Sequence, residues 1–238
     1  MKRILSATLF VAVLGTFSSN AFAQSESRDD AIKQIQAKRA ELAVLEKKIL
    51  VPSEEDRTAN AEFLAQPDTG LIRLMPRETY DYVLAVRGGG AYYSFINLSN
   101  EYGRGSDLSL EQNFLSVGFA GADYGMLINV GDIPLDQVNA EIPGIGFLTA
   151  YRAVEEEPKA RIEARRFSEG TTVDGVLFKR RQRAQVNTTY VVRSIQYSNS
   201  DVLVAFRVLR KDRDGSLIIK WKLLKSYPVT DLAQRNLN

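Results

Sequence analysis

Histidine and cysteine are both absent from the 238 residues of this chain. Their absence excludes Ser-His-Asp and Cys-His nucleophilic sites, zinc or haem ligation through either residue, and iron–sulfur clusters. It also removes disulfides, so the fold must rest on packing and hydrogen bonds. Catalysis, if any, is left to Asp, Glu, Tyr, Lys, Ser or Thr, and a metal would have to be a hard cation on oxygen ligands. The best opening for such a cation is Asp212-Arg213-Asp214-Gly215, which starts like a calcium loop. The closing Glu of that loop would fall at Leu223, so the segment reads as a hairpin turn. No metal and no cofactor are expected. Long apolar runs are scarce too, and beyond residue 23 none is long enough to cross a bilayer.

The one such run near the start has a different meaning. Lys2 and Arg3 precede an almost unbroken apolar stretch over 4–15, and Ala21-Phe22-Ala23 supplies the small residues a signal peptidase reads. Residues 1–23 therefore read as a secretory signal cleaved before Gln24, with no transmembrane segment left after cleavage and a periplasmic or secreted location. Nucleic acid is then not an expected partner. Removing Lys2 and Arg3 leaves 29 basic residues against 29 acidic ones. That balance hides an asymmetry: residues 54–151 carry 5 basic and 14 acidic residues, and 152–225 carry 17 and 9. Two such halves are expected to pack against each other with complementary fields.

Periodicity divides the chain into the signal (1–23), an amphipathic helix (24–52), a linker (53–70) and a β-rich domain (71–238). Within the helix, Ser27 reads as the N-cap, and Ile32, Ile35, Leu42, Leu45 and Ile49 form one stripe over 27–50 before Pro52 stops it. That stripe suits either docking on its own domain or a homo-oligomer. A helical turn is expected at 58–66. Strands are expected at 71–75, 80–86, 91–97, 114–119, 126–130 and 147–154, and a short helix at 108–112 started by Ser106 and Asp107. Residues 159–167 suit helix or strand equally. The clearest pattern is a three-stranded meander over 188–197, 202–211 and 216–225, expected to have one buried face and one basic, exposed face, with 176–183 as a fourth strand. The fold class that follows is mainly β, a β-rich α+β protein. Its antiparallel domain would be sandwich- or barrel-like, with a C-terminal β-meander and an N-terminal helix.

The segment 87–132 concentrates the chemistry. It holds 9 of the 16 glycines and 7 of the 22 aromatic residues, with acids interspersed. Gly88-Gly89-Gly90 is followed by a strand-like run, not by a helix with Lys-Ser/Thr, so it is no nucleotide cradle. Tyr92, Tyr93, Tyr102 and Tyr124 are apolar faces suited to sugar rings, and Glu101, Asp107 and Asp123 are candidate polar contacts beside them. These seven residues form the expected ligand-binding set. The expected function is non-catalytic binding of a cell-wall or extracellular glycan, or of a protein partner, at the bacterial envelope. One alternative is a glycan hydrolase using paired carboxylates drawn from Glu101, Asp107, Glu111, Asp123 and Asp132. The other is an assembly protein that oligomerises through its helix. The densest basic run, Lys179-Arg180-Arg181-Gln182-Arg183, suits an edge strand guarded by charge, or a contact for anionic polysaccharide or lipid headgroups.

Overall fold

The structure, a computed structural model, describes residues 19–103 and 105–233. Residues 1–18, with the charged and apolar parts of the expected signal, lie outside the described residues. The chain divides into two compact units, Met1–Leu42 and Ala43–Asn238. The boundary falls inside helix α1 (Ser19–Leu50). Because α1 starts at Ser19, Ser27 lies within it and does not cap it. In the first unit every side chain from 27 to 42 is exposed. Among the described residues no helix is long and apolar enough to cross a membrane.

In the second unit the end of α1 is anchored by Glu46, whose carboxylate accepts the backbone N–H of Ala85 and of Val86. Within residues 53–70, α2 (Glu54–Ala59) and α3 (Ala61–Leu64) are short helices, the second within the helical turn expected at 58–66, and turns then lead into β1 (Thr69–Leu74). Ser53 and Asp56 make a reciprocal capping box at the start of α2. Helix α4 (Arg77–Tyr80) follows Pro76. A strand at 80–86 does not form, since Tyr82 and Val83 are 98% and 69% exposed and have no core to face. Next come β2 (Tyr92–Tyr93), β3 (Leu108–Glu111), β4 (Phe114–Ser116) and β5 (Tyr124–Gly131). The expected helix at 108–112 is thus a strand: Leu108 and Leu110 point into a core while Ser109 and Glu111 point away, a period of two. The expected strand at 147–154 is instead helix α5 (Ile145–Ala150), which begins on the left-handed Gly144 and buries Ile145 and Leu148. Helix α6 (Glu157–Glu169) precedes β6 (Thr171–Val173), β7 (Val176–Phe178) and β8 (Arg181–Arg183).

The meander is β9 (Thr188–Gln196), β10 (Ser200–Lys211) and β11 (Leu217–Ser226). It is the centre of a five-stranded antiparallel sheet ordered β1-β11-β10-β9-β5. A second, four-stranded sheet is ordered β2-β3-β4-β8, and β6 and β7 form a separate hairpin. One face of the large sheet packs Tyr190, Val192, Val204, Phe206 and Trp221 against Tyr93, Leu108, Leu110 and Leu115 of the small sheet. This is a sandwich-like arrangement, in which each fully buried aliphatic side chain contributes about 1.5–3 kcal/mol. The other face of the meander is also covered, which corrects the expectation of a basic, exposed face. Helices α5 and α6 lay Leu148, Ala160 and Phe167 over Val191, Ile195, Leu203 and Ala205. Arg193, on that face, is 1% exposed and held by both Asp201 oxygens at 2.5 and 2.8 Å. Residues 176–183 add no fourth strand to the meander and are split between the hairpin and the small sheet.

Candidate functional site

The small sheet has an inner face in the core and an outer face that lines a cavity of about 430 Å³, within the usual range for ligand sites. Partners across antiparallel strands project to the same side. Tyr92 pairs with Ser109, Ser109 with Ser116, and Ser116 with Arg181. One row across four strands therefore reads Tyr, Ser, Ser, Arg. Two small hydroxyl residues in the middle leave a hollow between a ring at one edge and a guanidinium at the other. Arg77 of α4, Glu111 of β3, Ser168 of α6, and Tyr102, Phe119 and Arg180 complete the wall.

Aromatic contacts fix one end. The Tyr92 ring lies 4.6 Å from that of Tyr102 and 5.2 Å from that of Phe119, centroid to centroid. Arg77 sits 6.0 Å above Tyr92, and Arg87 5.2 Å from the Tyr102 ring. Burial raises the Tyr92 phenol above its ordinary range, so it stays a neutral hydrogen-bonding group. The basic end is built differently. Arg77 Nε donates to Asp81 at 3.1 Å, and its Nη1 donates to Glu111 at 3.4 Å. Arg180 donates from Nε to the Val117 carbonyl at 2.9 Å and from Nη2 to the Gly118 carbonyl at 2.5 Å. Arg181 lies 4.2 Å over the Phe114 ring and donates from Nη2 to the Glu111 carbonyl at 3.3 Å.

The seven residues expected as a ligand set divide. Tyr92 and Tyr102 meet in this cavity. Tyr93 is in the core between the sheets, 5.4 Å from Phe95, and burial pushes its phenol up to about 12. Tyr124 is in the helix-side core, its hydroxyl 3.0 Å from that of Tyr151. Glu101 is exposed and borders a smaller cavity of about 300 Å³ beside Arg87 and Tyr102. Asp107 has no exposed surface and accepts from Phe95 N–H at 2.8 Å and Gln196 Nε2 at 2.6 Å. Asp123 accepts from Tyr197 N–H at 3.0 Å. Within the Gly88–Gly90 triplet, Gly89 packs backbone on backbone, since a Cβ there would stand 2.3 Å from the Tyr80 carbonyl carbon and its φ is +61°, while Gly88 and Gly90 lie against the side chains of Tyr92 and Leu50. Among the described residues no group of three or more acidic side chains converges as a metal set would.

Sequence reasoning did not gather Arg77, Ser109, Ser116, Phe119 and Ser168 into the site. The alternation Leu108-Ser109-Leu110-Glu111 is the one local signal that Ser109 and Glu111 share an outer face. Their meeting with Arg180 and Arg181 depends on a pairing between β4 and β8 that spans more than sixty residues of chain. No family model matches this chain, and no match was found among curated proteins or solved structures.

Proposed function

We propose that this is an exported, non-catalytic glycan-binding protein, and that the outer face of the small sheet is its binding site. The row Tyr92–Ser109–Ser116–Arg181 carries the reading. Sugars offer an apolar ring face and a rim of hydroxyls, and the cavity offers three aromatic rings at one end with serine hydroxyls and guanidinium donors around the floor. A hydrolase with paired carboxylates needs two carboxyl groups about 5–9.5 Å apart across the scissile bond. The lining residues include one carboxylate, Glu111, and it is bound to Arg77.

The test is binding to a panel of immobilised oligosaccharides, with products of incubation checked by chromatography. Tyr102→Ala removes a half-buried ring from the cavity wall and leaves both cores intact. It should weaken glycan binding by roughly tenfold, the worth of about 1.4 kcal/mol of ring contact. Binding unchanged in Tyr102→Ala, or release of shortened sugars by the wild type, would overturn the reading.

A further inference from the structure

Five arginines are buried or half-buried among the described residues: Arg73, Arg77, Arg180, Arg193 and Arg207. Four of them meet a carboxylate: Arg73 on Asp212, Arg77 on Asp81 and Glu111, Arg193 on Asp201, and Arg207 on Asp132. Arg180 is the exception. Its two contacts are backbone carbonyls, which orient a guanidinium without neutralising it. Its Nη1 has no hydrogen-bond partner among the described residues. The neighbouring Arg181 also has no carboxylate partner there, and its Nε and Nη1 are unengaged. Both point to one conclusion about the cavity they line: Glu111 and Arg77 offset each other, and two positive charges remain over a concave floor.

We infer that the glycan bound here is anionic, a sugar bearing carboxylates that Arg180 and Arg181 read; this rests on the glycan-binding reading above. A partly desolvated guanidinium without an anion is costly, whereas a carboxylate facing it makes the strong, charge-assisted kind of hydrogen bond. A neutral sugar would fill the same volume and leave that charge uncompensated. The pinning of Arg180 by Val117 and Gly118, and of Arg181 by the Phe114 ring, means that little side-chain freedom is lost when the anion arrives. The concavity suits a sugar ring with Tyr92 and Tyr102 beside it. A flat membrane surface would not enter the hollow that these rings line.

The experiment is calorimetric titration of the full-length mature chain with tetragalacturonate and with the neutral galactose tetramer, at low and at raised salt, alongside co-sedimentation with phosphatidylglycerol vesicles. The acidic sugar should bind at least tenfold more tightly than the neutral one, and salt should narrow the gap. Arg180→Gln and Arg181→Gln should each reduce binding of tetragalacturonate roughly tenfold and weaken the neutral tetramer far less, so that the gap between the two sugars narrows. Arg181 is exposed, so its variant keeps the test open if Arg180→Gln loosens the fold. Equal binding of both sugars, unaffected by either variant, would sink this inference and leave the glycan reading standing. Binding to neither sugar would remove both, and vesicle binding without sugar binding would assign the arginines to lipid headgroups instead.

Discussion

Asp107 sits fully buried, with no cationic partner among the described residues. Burial pushes its carboxyl from the ordinary 3.8 up to about 6, against the pull of the hydrogen bonds it accepts from Ser194, Phe95 N–H and Gln196. A folded state that holds its proton more tightly gains stability that is fully present below pH 3.8 and lost as pH rises through 6. Asp56 works in the opposite direction. Hydrogen bonds from Arg210 hold its carboxyl down at about 2, so its contribution is present above 3.8 and lost as pH falls through 2. Stability should therefore rise as pH falls from 7 to 5, then decline once the Asp56 pair is protonated. In urea titrations at pH 5 and pH 7, Asp107→Asn should remove about 1 kcal/mol of the wild-type difference. A variant that retains the whole difference would show that another group titrates in this window. Chemistry-bearing residue types were legible here; their environments were not. The same letters that suggested a catalytic acid at Asp107 describe a buried hydrogen-bond acceptor, because burial depends on partners far along the chain.

Helix α1 shows the same split at the scale of an element. Its stripe is readable from spacing, and Ile32, Ile35, Leu42, Leu45 and Ile49 are 43%, 53%, 40%, 56% and 39% exposed. Its length and anchoring are set by tertiary contacts. Glu46 caps Ala85 and Val86, and a Cβ on Gly90 would run into Leu50, so the last turns belong to the second unit. Truncation should respect that boundary. If the stripe joins copies of the chain, the mature protein will be oligomeric by light scattering, and removal of residues 24–42 will leave a folded monomer. A monomeric mature protein would end the assembly reading. Removing 24–53 should instead destabilise the domain, since it takes away Glu46 and the Ser53 cap. Elements whose pattern could be satisfied locally were read correctly from sequence, as in the meander and its Asp212–Gly215 turn, where Gly215 N–H bonds Asp212 O at 3.0 Å. Short elements such as β3 and α5 were not, because four to six residues carry too little period to choose a state, and a neighbouring sheet or core chooses for them.

For the molecule as a whole, acids of the first half meet bases of the second at Asp56–Arg210 and Asp132–Arg207, while Arg73–Asp212 joins the halves in the opposite sense. These pairs offset a small part of the asymmetry, and the cavity at Arg180 and Arg181 is one place where positive charge is left over. The proposed export carries its own prediction: the chain recovered from the periplasm or medium should begin at Gln24 by mass spectrometry, and an intact Met1 terminus there would reject cleavage. From sequence alone came the absence of histidine and cysteine chemistry, the antiparallel β-rich class and the meander, since these follow from composition and from periods of two that a strand satisfies by itself. Only the tertiary structure decided that helices cover the meander's second face. It alone set Tyr93, Asp107 and Tyr124 in the interior and brought Tyr92 and Tyr102 to a cavity with Arg180 and Arg181. The physical reason is the same each time. Which face is buried, and which charge is left without a counter-charge, are properties of surfaces that meet only when β4 pairs with β8 and the sheets close on one another.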